Sequence, residues 1–280
     1  RSDGEEGDTC DTRQGALRTQ QPDEECVFEV GCVGDMKFNI DTFELENRIC
    51  RVYRGAGNGS DISCVIVQAV DKEWIVEEAQ KETAGAAVKE DTLGAEAESI
   101  LRGNDGVIFA NFAVGRWNDE LSPWSADAVF KNQPFAGGAE STLKFVTDVF
   151  IPELRARYEL PSDIKIIIGG YSLAGLFALW ASYMTDIFHA VAAVSPSVRF
   201  PGWIEFATEK HILADKVYLS LGNREEKTNN RIMARVGDNI RLQKELLDRQ
   251  DIESVLEWNE GNHFSAVEER TAKGFRWTIL

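Results

Sequence analysis

The residue most able to do chemistry is Ser172, set in Ile166-Ile-Ile-Gly-Gly-Tyr-Ser-Leu-Ala-Gly-Leu-Phe-Ala-Leu-Trp180. A β-branched run meets two glycines, and an apolar helical run follows the serine. A sharp strand-to-helix turn of this kind lifts a hydroxyl clear of a sheet and makes it a nucleophile. The helix behind it aims backbone N–H groups at any anion that forms there. Small residues are needed beside the serine because strand and helix backbones nearly touch. Gly170 precedes Tyr171 and Ser172 as this turn requires. Two residues on stands Ala174 rather than glycine, with Gly175 next.

A serine hydroxyl needs a base within hydrogen-bond reach, and the chain offers three histidines. His189, in Phe-His-Ala-Val-Ala-Ala-Val, belongs to an apolar run and reads as a packing residue. His211 follows Glu-Lys near an exposed helix and reads as solvated. His263 lies in Glu260-Gly-Asn-His-Phe264, past the last predicted strand and before the last helix. That is the place of the base when the chain order is serine, acid, histidine.

The orienting acid then belongs after the strand predicted at 217–221, where Glu225 and Glu226 both qualify. A carboxylate there fixes the imidazole tautomer and stabilises imidazolium. Asp238 falls on the following helix and points elsewhere. An oxyanion would be held by the Leu173 N–H and by a second amide after the strand at 62–70, from Ala69, Val70 or Asp71.

The elements that must position these groups follow from the pattern. Alternating runs predict antiparallel strands at 27–33, 36–43 and 48–53. Gly55-Ala-Gly-Asn-Gly59 precedes a strand and so reads as a turn, not a dinucleotide loop. Strands are predicted at 62–70, 106–114, 164–168, 189–194, 217–221 and 254–258. Helical segments are predicted at 74–102, broken by Gly85 and Gly94; at 141–158, kinked by Pro152; after Ser172 to about Met184; and at 232–247 and 266–280. A weaker helix precedes the strand at 217–221. Strands alternating with helices imply an α/β fold, a mostly parallel central sheet with helices on both faces.

Residues 1–25 are polar and acidic with only Leu17 as a large apolar residue, which predicts a disordered tail ahead of a domain at 26–280. The net charge of −17 argues against nucleic acid and anionic membranes as partners. No apolar stretch is long enough to span a bilayer, and no charged-then-apolar leader is visible. Cys10, Cys26, Cys32, Cys50 and Cys64 are odd in number and lack C-x-x-C spacing. They read as reduced thiols of a cytoplasmic protein, with a disulfide among the first three as the lesser reading. No metal or organic cofactor is implied.

The turn around Ser172, the loop Trp117-Asn-Asp-Glu-Leu-Ser-Pro-Trp124 and the segment Ser220-Leu-Gly-Asn-Arg-Glu-Glu-Lys-Thr228 together resemble the esterase family of α/β-hydrolases. That family groups enterochelin (ferric siderophore) esterases with related bacterial serine esterases. The resemblance spans about residues 26–280 and implies a carboxylic ester as small-molecule substrate. It places the acid in a Gly-x-x-Glu loop, here Gly222-Asn-Arg-Glu225, which selects Glu225, and the base in Gly261-Asn-His263. The resemblance starts without the separate N-terminal domain of enterochelin esterases, which predicts a short form, and Ala174 matches a subgroup of short members. Trp117 and Trp124 would lie near the site mouth, either packing their loop or lining a pocket. Arg199 would meet an anionic substrate or a surface carboxylate. Acyl transfer to another acceptor, or binding without catalysis, are the competing readings.

Overall fold

Strands of β-branched and small residues pair into one nine-stranded sheet in the order β1-β2-β3-β5-β4-β8-β9-β10-β11. The strands are β1 (Val27–Val33), β2 (Met36–Leu45), β3 (Arg48–Gly55), β4 (Cys64–Asp71), β5 (Val107–Val114), β8 (Lys165–Tyr171), β9 (Ala190–Val194), β10 (Lys216–Gly222) and β11 (Glu253–Asn259). A separate two-stranded ribbon joins β6 (Ser125–Ala126) to β7 (Phe135–Ala136). The helices are α1 (Thr92–Leu101), α2 (Trp117–Glu120), α3 (Ala139–Phe145), α4 (Ile151–Arg157), α5 (Leu173–Met184), α6 (Trp203–Glu209), α7 (Arg231–Arg249) and α8 (Val267–Ile279). This computed structural model describes residues 27–33, 36–55, 61–76, 92–127, 134–228 and 231–280. The acidic segment 1–25, the Gly55–Gly59 turn beyond its first residue and Gly85 lie outside the described residues.

β1, β2, β3 and β5 pair antiparallel in succession. From β5 through β4, β8, β9 and β10 to β11 every pairing is parallel. The inner strands are apolar on both faces because helices cover both. One core packs α3, α4, α5, α6 and α7 on one face, around Val67, Ile168, Phe177, Val191 and Leu219. The other packs α1 and α8 on the opposite face, around Ile66, Ile100, Phe109, Ile167 and Phe275. The result is the three-layered α/β-hydrolase architecture with antiparallel strands at its amino end. Among the described residues no helix is long and apolar enough to cross a membrane.

Two local expectations change. Gly94 does not break its helix: α1 continues through it, since Leu93, Ala97, Ile100 and Leu101 are all buried in the core. That burial outweighs the cost, at most about 1 kcal/mol, of a glycine in the helix's first turn. The segment 141–158 is not simply kinked at Pro152. α3 opens into a π turn, Val146–Phe150, and α4 restarts with Pro152 in its first turn. Proline has no N–H for the carbonyl four residues back, so the turn ahead of it widens.

Parallel register brings three strand ends level. Tyr171 pairs with Val194, Val194 with Ser220, and Gly222 with Asn259. The loops that leave β8, β10 and β11 therefore emerge side by side at the carboxyl end of the sheet.

Candidate active site

Ser172 sits at φ 58°, ψ −117°, a conformation that a residue with a Cβ adopts only under constraint. The constraint is backbone: its N–H donates to the Val194 carbonyl at 3.0 Å, and its carbonyl accepts from Ser197 N–H at 2.9 Å and Leu176 N–H at 3.1 Å. The turn is also tight. A Cβ on Gly170 would lie 2.7 Å from the Ala174 Cβ, and one on Gly175 would lie 2.8 Å from the Gly170 carbonyl oxygen. Leu173 opens α5, so its N–H is among the donors a helix start leaves without an intrahelical acceptor.

The loops after β10 and β11 are stitched together. Asn223 N–H donates to the Asn259 carbonyl at 2.8 Å, and Arg224 N–H to the Gly261 carbonyl at 3.0 Å. Gly222 must be glycine, because a Cβ there would stand 2.6 Å from the Gly261 carbonyl oxygen and 2.9 Å from Glu225 Oε1. Gly261 has φ +107° and leaves no room for a Cβ beside Ser265. This stitching aims Glu225 and His263 at each other, with His263 Nδ1 2.7 Å from Glu225 Oε2. His263 Nε2 lies 3.0 Å from Ser172 Oγ. With Nδ1–H donating to the carboxylate, Nε2 presents its lone pair to the serine hydroxyl.

The other oxygen of Glu225 is fully used. Oε1 accepts from Gly222 N–H at 2.7 Å, from Ser195 Oγ at 2.7 Å and from Arg270 Nη2 at 3.0 Å. Arg270 also bonds Ser195 Oγ, and its Nη1 ties down the Asn262 and Ser265 carbonyls. The Glu225 and Arg270 side chains are only 3% and 4% exposed. Burial pushes the Glu225 carboxyl up, but the bonds from His263, Ser195 and the Gly222 N–H outweigh it and hold it at about 2. Tyr171 packs against the imidazole, ring centroids 5.3 Å apart, and its hydroxyl donates to the His263 carbonyl at 2.7 Å. Burial holds that phenol neutral, pushed up to about 12.

Neither Ser195 nor Arg270 was singled out by the sequence. Both carry a faint signal. Ser195 follows a wholly buried strand and sits at φ 43°. Arg270 shares a helix face with Gly274 and Thr278, both buried, so the periodicity of α8 puts a charge on its inward side.

The remaining candidates separate clearly. Glu226 faces away and grips Arg241 through both oxygens at 2.9 and 3.0 Å. Asp238 is on α7, exposed, 3.4 Å from the same Arg241. His189 is a correction to the packing role: it is half-exposed at the start of β9 and pairs with Asp215 at 3.0 Å, at the opposite end of that strand from Ser195. His211 is exposed. Ala69, Val70 and Asp71 end β4, just past Gln68, which pairs with Gly169 of β8. Trp124 packs on Phe200 and Phe206 and donates Nε1–H to the Pro201 carbonyl at 2.9 Å. Trp117 is half-buried against the same core. A surface cavity of about 330 Å³ near Trp117 is lined by Arg48, Arg116, Glu120 and Thr142, with none of Ser172, Glu225 or His263. Arg199 is half-buried, two residues past Ser197 and within the field of Glu225. The surface ion pair expected of it is not found among the described residues. Nor does any group of three His, Cys, Asp or Glu side chains among them stand ready to hold a metal. Cys50 and Cys64 are buried free thiols.

A family model described as putative esterase matches residues 107–272. No curated protein sequence matches. Among solved structures, the chain is similar to an IroE-like serine hydrolase from Shewanella oneidensis, with TM-score 0.61 and 14% identity over 86% of this chain and 79% of that one. It is also similar to the siderophore hydrolase EstB from Aspergillus nidulans, with TM-score 0.58 and 17% identity over 94% and 96%. A third is the BES protein from Bacillus cereus, with TM-score 0.54 and 17% identity over 96% and 99%. At these identities the likeness is one of fold.

Proposed function

Since the chain belongs to the putative esterase family of α/β-hydrolases, we propose that it hydrolyses a carboxylic ester through an acyl-enzyme on Ser172. His263 takes the proton from Ser172 Oγ as the hydroxyl attacks the ester carbonyl, and returns it to the departing alcohol. Glu225 holds the imidazole with Nδ1–H inward and balances the charge it gains. The Leu173 N–H and an amide from Ala69, Val70 or Asp71 receive the oxyanion. Water, activated by His263, then releases the acid.

The observation that carries this reading is the continuous line from Ser172 Oγ to Nε2 at 3.0 Å and from Nδ1 to Glu225 at 2.7 Å, on a turn that constrains the serine. The names of the similar structures make a siderophore ester a reasonable substrate to include in a screen. Ser172→Ala should abolish turnover of a reactive ester, by up to about a million-fold on the precedent of other triad serines. It should also abolish labelling by a fluorophosphonate while the melting temperature stays near the parent's. Retained labelling or several per cent of the parent activity would remove Ser172 from the mechanism.

A further inference from the structure

Phe264 follows His263 directly and is 85% exposed. It is not a loose tip. Its N–H donates to Asn262 Oδ1 at 2.8 Å, Asn262 N–H donates to Ser265 Oγ at 3.0 Å, and Ser265 N–H donates to the Asn262 carbonyl at 3.2 Å. Arg270 clamps the same turn from below through the Asn262 and Ser265 carbonyls. The turn thus holds a phenyl ring out in water, edge-on to the imidazole, with centroids 5.3 Å apart and planes at 83°. Single exposed apolar side chains are ordinary on protein surfaces. This one stands beside the group proposed to deliver a proton to the leaving alcohol. Tyr171 takes another side of the imidazole, and its hydroxyl is already bonded to the His263 carbonyl.

Position decides which half of a substrate Phe264 can meet. As Ser172 Oγ bonds to the acyl carbon, the bond from that carbon to the alkoxy oxygen breaks. The serine proton passes through Nε2 to that oxygen. The alcohol half therefore lies against His263, while the carbonyl oxygen turns toward the Leu173 N–H. We propose that Phe264 forms the leaving-group subsite, and that the substrates this site favours are esters of bulky, apolar, ring-bearing alcohols. This inference rests on the Ser172–His263 reading above and adds the substrate's alcohol half to it.

Benzyl and methyl butyrate share an acyl group and have leaving alcohols of similar acidity, so they differ chiefly in the ring. For the purified full chain, Phe264→Ala should lower the benzyl-to-methyl ratio of kcat/KM about tenfold, equivalent to ~1.4 kcal/mol. Phe264→Trp should keep the ratio near the parent value. The ratio for methyl octanoate over methyl butyrate, which varies only the acyl half, should not change in either variant. A benzyl-to-methyl ratio unaltered by Phe264→Ala overturns the subsite, as does an equal loss on both esters. A shifted acyl ratio overturns it too, because Phe264 would then be meeting the acyl half. Failure of fluorophosphonate to label Ser172 in the parent protein overturns the reading beneath it as well, and so separates the two failures.

Discussion

Glu225 accepts four hydrogen bonds, from His263, Gly222, Ser195 and Arg270, and each constrains what can replace it. Glutamine keeps the volume, but its NH₂ must face either the guanidinium or the imidazole N–H, and Arg270 becomes an unpaired buried cation. Glu225→Gln should therefore cut kcat by up to ~10⁴-fold and lower unfolding free energy by roughly 3–5 kcal/mol. Glu226→Gln loses only a partly exposed pair with Arg241 and should stay within about 1 kcal/mol of the parent. Kinetics and urea midpoints of the two variants test this, and a costlier Glu226 would reassign the acid. The same carboxyl gives a pH signature. Its folded value of about 2 lies below the unfolded 4.5, so its contribution, on the order of 3 kcal/mol, is complete above 4.5 and lost as pH falls through 2. The gap in urea stability between parent and Glu225→Gln should shrink on going from pH 6 to pH 2.5. A gap of constant size would mean that the carboxyl is not held down. At this scale the sequence pointed to Ser172 and His263, and to Glu225 beside Glu226 until the resemblance chose between them, because each proposed residue sits in a short motif that glycine geometry makes legible. Arg270 was hidden, since a charged residue in the first turn of a helix ordinarily faces water, and only tertiary packing turns it inward.

Elements were read through their periodicity, and what escaped was set by contacts between them. The strand, turn and helix around Ser172 were visible because β-branched, small and apolar residues succeed one another there. The departure to Ala174 finds its reason only in the packed turn: the absent Cβ at Gly170 leaves the space that the Ala174 methyl fills. Gly175 has no such latitude. Gly175→Ala would press a methyl against the Gly170 carbonyl oxygen, an overpacking of about 1–3 kcal/mol, or a melting temperature lower by roughly 2–10 °C in a chain this long. Gly115→Ala, whose Cβ would meet only Glu120 Oε1 at 3.7 Å, is the control. Equal melting temperatures for the two variants would contradict the close approach of β8 and α5. The π turn ahead of Pro152 and the continuity of α1 through Gly94 were not legible. Each is a compromise between a local preference and a buried face on a neighbouring element.

Over the whole molecule, two apolar cores on opposite faces of one sheet shield the Cys50 and Cys64 thiols. Burial pushes Cys50 up to about 12 and Cys64 to about 11. Both should resist iodoacetamide at pH 8 in the native protein and react once it unfolds, as mass spectrometry of the modified peptides would show. Modification of either in a chain that still melts cooperatively would place it nearer the surface. The order of the sheet carries a further consequence, for the protein's own synthesis. The proposed nucleophile and base are 91 positions apart, and the arginine that anchors the carboxylate arrives later still, in the last helix. A ribosome that has released α5 has exposed a serine with no partner. Only when β11 joins β10 and α8 closes over Tyr218 and Phe109 can the proton path exist. Stalled nascent chains of increasing length, offered a fluorophosphonate, should remain silent until α8 has emerged, so the site itself reports that the sheet and the helices around it have folded.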